Sequence, residues 1–278
     1  MSTASLTLSS IRTADDTEMP YASHGPSTGP ALVMLHGLSD SWRSFEPVFD
    51  VLAPDVRAIA VSLRGHGDAG RPEAGYELGS LAADVVSLLE RLELDAVVLV
   101  GHSLGAAVAL LVARQSPDRL QALVLIGAFA TPADHPLVAE LVGAVAELAD
   151  PVDRAFIEEF QAGTVYGDVP EAYMAQVVAE SAKVPAHVWR GATDGFMAAD
   201  HLGAARAIAV PTTLIWGDHD AYVPRAEQDR FLATFPSARL EVYEDTGHAV
   251  HWEQPTRVVT DLLAILGGCS TTRSSTAG

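Results

Sequence analysis

Ala96-Val97-Val98-Leu99-Val100 runs directly into Gly101-His102-Ser103-Leu104-Gly105, and from there to Arg114 the chain is almost wholly small and apolar. An unbroken apolar run of strand length fits a strand buried on both faces of a parallel sheet. The small-residue segment after it, Leu104–Arg114, fits a helix laid on that sheet, ended within a few residues by Pro117. Between them stands G-x-S-x-G. A serine forced onto a sharp strand-to-helix turn needs neighbours without bulk, so that strand and helix can approach. The helix start then offers free N–H groups and a positive dipole end to a developing oxyanion. Ser103 is the candidate nucleophile. The bland reading, a Gly/Ser helix start with no chemistry, gives no account of the strand before it.

The same rhythm extends in both directions. Upstream, Leu6–Ile11 and Met19–Ser23 read as strands, Ala31–Leu35 as a buried strand ending at His36-Gly37, and Val56–Val61 as another ending at Arg64-Gly65-His66-Gly67. Ser44–Leu52 reads as a short helix interrupted at Pro47, and Leu78–Leu92 carries apolar residues at helical spacing. Downstream, Ala122–Ile126, Thr212–Trp216 and Arg239–Tyr243 are strands, and Pro224–Phe235 and Thr256–Leu266 helices. Alternating strands and helices imply an α/β class: a mostly parallel eight-stranded sheet flanked by helices, with right-handed crossovers. The rhythm breaks between Thr131 and Ala209, where Leu137–Leu148, Asp153–Ala162, Pro170–Ala182 and Val184–Met197 read as helices with no strand among them. Such an excursion far exceeds an ordinary connection of ~4–6 residues and reads as an inserted helical cap. The expected organisation is a core of residues 1–130 and 210–267, a cap of 131–209 and a disordered Ser/Thr/Gly-rich tail of 268–278.

Composition sets outer bounds. Hydrophobic residues make up 49% and charged residues 19%, enough apolar surface to exclude disorder for most of the length. With 36 acidic against 17 basic residues the formal net charge is −19, which would repel a phosphate backbone, so no nucleic-acid partner is expected. Anionic substrates are disfavoured too, unless Arg64 or Arg190 overrides the field locally. The lone Cys269 allows no intrachain disulfide. The start of the chain has neither the basic residues nor the apolar run of a secretory signal, and no stretch is apolar over the ~18 residues needed to span a bilayer. A cytoplasmic protein with no membrane partner is the expectation, its oligomeric state unreadable.

A serine hydroxyl needs a base, and position in the rhythm separates the ten histidines. His248, in Thr246-Gly247-His248, follows the strand Arg239–Tyr243 and precedes the last helix, so its loop leaves the same sheet edge as Ser103. His102 is too close in sequence to turn back on Ser103. His36 and His66, beside glycines at strand ends, read as structural. His219 and His251 are neighbours that could line the site, and His24, His135, His187 and His201 read as surface or cap residues. In Gly217-Asp218-His219-Asp220, either carboxylate could orient His248 and stabilise its imidazolium without taking the proton. Residue chemistry alone leaves these two open. No metal and no cofactor is assigned: His248 and His251 have no third ligand at a fitting spacing, and H-E-x-x-H does not occur.

These residues resemble the capped α/β-hydrolases over about Leu6 to Leu266. Leu35-His36-Gly37-Leu38 is similar to that family's oxyanion loop, Leu63-Arg64-Gly65-His66-Gly67 to its R-G-x-G turn, and Gly247-His248 with Glu253-Gln254-Pro255 to its G-H…E-x-P ending. The order Ser103, acid, His248 follows the fold's order, and the family's G-x-x-D pattern assigns the acid to Asp220. The resemblance implies an acyl-enzyme mechanism with the backbone N–H groups of Leu38 and Leu104 as oxyanion hole. The nucleophile position holds serine, not the aspartate of relatives that open epoxides or remove halides. Gly127-Ala128-Phe129-Ala130 carries no carboxylate, against the variant with its acid after that strand.

The cap would roof an apolar pocket. Trp189 is the first candidate to line it, with Phe129, Tyr222 and Trp42 next; for each, plain packing is the competing reading. The expected substrate is a small apolar ester or a lactone. The alternatives are a carbon–carbon bond hydrolase, which needs cationic groups for a substrate carboxylate, a perhydrolase, and a small-molecule receptor that retains the triad.

Overall fold

The computed structural model describes residues 6–235 and 238–273. Among these, eight strands form one sheet: β1 (Thr7–Arg12), β2 (Glu18–His24), β3 (Ala31–Leu35), β4 (Arg57–Val61), β5 (Val97–His102), β6 (Leu120–Ile126), β7 (Thr212–Gly217) and β8 (Ala238–Tyr243), in the order β1-β2-β4-β3-β5-β6-β7-β8. β1 and β2 pair antiparallel, β2 runs antiparallel to β4, and every pairing from β4 to β8 is parallel. The helices are α1 (Glu46–Val51), α2 (Leu78–Arg91), α3 (Leu104–Gln115), α4 (Pro136–Ala146), α5 (Arg154–Ala162), α6 (Glu171–Ser181), α7 (Ala186–Met197), α8 (His201–Arg206), α9 (Arg225–Thr234), α10 (Val250–Glu253) and α11 (Pro255–Arg273).

The central strands are predominantly apolar because each face is covered. Val33, Leu35, Leu99, Leu123, Leu125 and Leu214 pack with α2, α3, α8 and α9. Their neighbours in sequence, among them Leu32, Met34, Val98, Val100 and Val124, pack on the other face with α1 and α11. Edge strand β1 keeps polar, exposed residues instead. Between β6 and β7 the chain leaves the sheet for α4 to α8, whose own packing centres on Val145, Ile157, Val178, Val188 and Trp189.

Three local expectations are corrected. Pro47 does not interrupt a helix: it sits in the first turn of α1, preceded by a 3₁₀ turn over Trp42–Phe45, where its missing N–H has no helical partner to lose. The short helix α8, capped by Asp200 accepting from the Gly203 N–H at 2.7 Å, was not expected. The last helix runs to Arg273 instead of ending at Leu266, through part of the expected tail; residues 274–278 lie outside the described residues. No helix among the described residues is long and apolar enough to cross a membrane.

Candidate active site

The carboxyl ends of β3, β5, β6, β7 and β8 deliver the candidate residues to one rim. Ser103 stands between β5 and α3 at φ 51°, ψ −113°, a strained backbone for a residue with a side chain. The two flanking glycines explain how the turn is tolerated. A Cβ on Gly101 would stand 2.3 Å from the Gly105 carbonyl oxygen, and one on Gly105 would stand 2.3 Å from that of Leu35 in β3. Strand, helix and neighbouring strand meet backbone to backbone here. Leu104 opens α3, so its N–H has no acceptor within the helix, and half-buried Leu38 follows Gly37 off the end of β3.

His248 and Asp220 meet at 2.7 Å, Nδ1 to Oδ2, both buried. The other oxygen of Asp220 accepts from the backbone N–H groups of Tyr222 and Val223, each at 2.9 Å. The carboxylate is an acceptor throughout, so the imidazole proton sits on Nδ1 and Nε2 is left with a free lone pair. Asp218 is exposed and accepts from the Thr246 N–H at 3.4 Å. Of the two carboxylates left open by residue chemistry, Asp220 is the one against the imidazole. Gly127, at φ 57°, makes room for the ring: a Cβ there would lie 2.8 Å from His248 Nδ1 and Cε1. The loop that carries His248 is tied down by Glu253, which accepts from the Gly247 N–H at 2.9 Å and the Gly167 N–H at 2.5 Å, and by the Ala249 N–H donating to the Thr164 carbonyl at 2.8 Å. Glu253 thus joins the histidine loop to the segment between α5 and α6.

Ser103 and His248 line one cavity together with Leu38, Leu104, Phe129 and Tyr222. Its walls are mostly apolar, with Val138, Leu141, Val142, Phe196 and Met197 supplied from α4 and α7. Two expected residues are not brought there, and this corrects the expectation. Trp189 is fully buried among the helices of the excursion, edge-on to Phe156 and Phe160 at 5.5 and 5.2 Å. Trp42 packs with α1 and α11 under the sheet, with the Arg43 guanidinium 4.5 Å over its ring. Neither arginine that might have drawn in an anion lines the cavity. Arg64 is buried in a two-pronged pair with Asp84, both contacts 2.6 Å, and Arg190 donates to the Leu148 carbonyl.

The remaining histidines divide as their partners dictate. His36 accepts from the Leu63 N–H at 3.0 Å and donates from Nδ1 to the Gly37 carbonyl at 2.7 Å, and burial, with His66 adding, holds its pKa well below the ordinary value. It is a neutral brace for the loop that carries Leu38. His219 lies outside, stacked on Tyr166 at 3.7 Å, and His251 is buried beneath, 4.6 Å from the His102 ring. His24 is buried, not on the surface, donating to the Val56 carbonyl, and His201, within residues 131–209, is buried and donates to the Phe196 carbonyl. Sequence reasoning missed Asp40 altogether. It is buried on the cavity wall, accepts from Ser44 Oγ at 3.2 Å and Gln161 Nε2 at 3.1 Å, and burial pushes its pKa up to about 7 despite those bonds. Its one sequence signal was a carboxylate two residues beyond the oxyanion-loop motif.

Residues 30–255 match the family model described as alpha/beta hydrolase fold. A non-heme haloperoxidase of Rhodococcus erythropolis is 30% identical over 284 residues, spanning 92% of this chain and 98% of that protein. An esterase from a Rhodococcus species superposes with a TM-score of 0.81 at 25% identity, over 94% of this chain and 98% of that one. An esterase from Exiguobacterium antarcticum gives 0.83 at 23% identity, over 93% and 99%, a likeness of fold.

Proposed function

Because the chain belongs to the alpha/beta hydrolase fold family and is a hydrolase of that fold, we propose that it cleaves a carboxylic ester or lactone through an acyl-enzyme on Ser103. The observation that carries this reading is the His248–Asp220 contact of 2.7 Å beside a serine held at positive φ on the wall of the same cavity. Ser103 Oγ attacks the ester carbonyl while His248 Nε2 takes its proton. The oxyanion draws on the Leu38 and Leu104 N–H groups, and the alcohol leaves with the proton returned by His248. Water, deprotonated by the same nitrogen, then releases the acid. Residues 131–209 act as the cap that shapes the pocket, and the apolar wall from α4 and α7 selects small uncharged acyl or alcohol groups. The lone cysteine and the acidic surface fit a cytoplasmic enzyme.

The likeness to a haloperoxidase favours one second reading, in which hydrogen peroxide replaces water and the acyl group leaves as a peracid. A carbon–carbon bond hydrolase fits less well, because no Lys or Arg lines the cavity among the described residues. The test is a chromogenic short-chain ester with wild type and Ser103→Ala, with and without peroxide. Hydrolysis that falls ~10⁴-fold or more in the variant is the expected result. Ligand-induced stabilisation without turnover would favour the receptor reading instead.

A further inference from the structure

Around Asp40, His102 and Gln161, acceptors outnumber donors. His102 donates its Nε2–H to the His248 carbonyl at 3.2 Å, which leaves Nδ1 as a bare lone pair. Gln161 turns its amide nitrogen to Ser39 Oγ, Asp40 Oδ1 and Ser181 Oγ at 3.2, 3.1 and 2.7 Å, which leaves Oε1 facing no donor. Both atoms are buried and unpartnered, in residues 2% and 1% exposed. The third is Asp40, an acceptor on both oxygens once ionised. Ser44 passes it a hydroxyl proton while itself contacting His251 Nε2 and Trp252 Nε1, both at 3.0 Å, so donation runs toward the carboxyl and stops there.

These groups share a place. A Cβ on Gly37 would stand 2.9 Å from His102 Nδ1 and 3.4 Å from Asp40 Oδ2, so the two acceptors flank the loop that carries Leu38. Asp40, His102 and Gln161 all line the cavity that Ser103 and His248 line. A buried acceptor without a donor bears its full desolvation cost, and a ligand group that supplies the proton recovers it. Phe129, Val138, Leu141 and Phe196, which line the same cavity, offer no polar partner, and the Thr193 hydroxyl on its wall is itself unpartnered and does not reach these groups, so the donor is left for the substrate to bring.

We propose that the Asp40–His102–Gln161 corner is a subsite for a hydroxyl group carried by the substrate, making the preferred ester one with a free hydroxyl a few bonds from the scissile carbonyl. A neutral hydroxyl suits the corner better than an ammonium. Two of the three acceptors are uncharged, the carboxyl already shares donors from Ser44 and Gln161, and an ammonium would be stripped of water against apolar walls. The inference rests on the ester-hydrolase reading above.

The experiment compares ester pairs in which a hydroxyl replaces a methyl: 2-hydroxyethyl acetate with propyl acetate, and methyl 3-hydroxypropanoate with methyl butyrate. In one pair at least, wild type should favour the hydroxylated member ~10- to 100-fold in kcat/KM. The ratio should fall to within about twofold in Asp40→Asn and in Gln161→Met. Equal rates in wild type, or a preference untouched in both variants, overturn the subsite while leaving the hydrolase standing. Faster cleavage of methyl 3-aminopropanoate than of either hydroxy ester overturns the choice of a neutral hydroxyl. If no ester is turned over and Ser103 resists a fluorophosphonate probe, the hydrolase reading fails. The same pairs are then measured as ligands of Ser103→Ala by calorimetry, where tenfold tighter binding of the hydroxylated member supports the subsite and equal binding overturns it.

Discussion

Two buried carboxylates on the rim of the sheet lie in opposite circumstances. Asp220, in the loop after β7, has every oxygen placed: one faces the His248 Nδ1–H and the other receives two backbone N–H groups from its own loop. Asp40, in the loop after β3, depends on borrowed side chains, one from beside α1 and one from α5, and burial outweighs them. Backbone donors are fixed by the turn itself and cost no side-chain entropy to hold in place, whereas Ser44 and Gln161 must be ordered from two separate elements. The first arrangement builds a rigid orienting group. The second leaves a carboxyl poised between its two protonation states and in want of a partner.

The sharpest break of that comparison is Asp220→Asn. The Tyr222 and Val223 N–H groups would keep the amide oxygen, turning the amide N–H₂ toward His248 Nδ1. The imidazole proton would then move to Nε2, where a base for Ser103 needs a lone pair. Ester turnover is expected to fall ~10⁴-fold, with Asp218→Asn within about threefold of wild type in the same assay. The reverse ranking would move the acid to Asp218. Next in size is Gly127→Ala, which would drive a methyl to 2.8 Å from the imidazole at a backbone φ of 57°. The ring must tilt away from Asp220, and ~100-fold in kcat is expected with KM little changed. A loss confined to thermal stability would mean that His248 has more room than the geometry shows.

How far such a comparison was legible beforehand depends on the kind of signal. The unbroken apolar runs Ala31–Leu35, Ala96–Val100 and Ala122–Ile126 and the glycines around Ser103 announced themselves, since burial on both faces and backbone contact tolerate few other residues. The choice between Asp218 and Asp220 could not be read from residue types: both lie in one loop, and only its turn, with the Asp220 N–H on the Gly217 carbonyl at 3.1 Å, decides which points inward. Trp189 was misplaced for a related reason. An aromatic at helical spacing looks the same whether its face meets a cavity or another helix, and here it meets Phe156 and Phe160. Phe129, which is edge-on to His248 at 5.9 Å, does stand on the cavity wall. Trp189→Ala should therefore cost about 3–5 kcal/mol of stability in chemical denaturation, whereas Phe129→Leu should change the ranking of ester chain lengths. A Trp189→Phe variant that re-ranks esters while Phe129→Leu does not would reverse the two roles.

The smallest effect concerns Asp40, and its sign follows from the proton count. The folded protein holds this carboxyl protonated up to a pKa of about 7, whereas in the unfolded chain it ionises near 3.8. Over the interval between, the unfolded state binds fewer protons than the folded one, so this residue's contribution erodes as pH rises from about 4 and is fully lost above about 7. Asp40→Asn keeps the shape, cannot ionise, and should escape that loss. Its Tm relative to wild type should therefore rise between pH 5 and pH 8, by a few degrees at most for a chain of 278 residues. Titration of other carboxylates shifts both proteins alike and cancels in the difference. A Tm difference flat across that range would mean that Ser44 and Gln161 compensate the buried charge as fully as the backbone serves Asp220, and the contrast between the two carboxylates would vanish. A difference that grows with pH, together with a weakened preference for hydroxylated esters in the same variant, would identify Asp40 as a residue held at the expense of stability for what it binds.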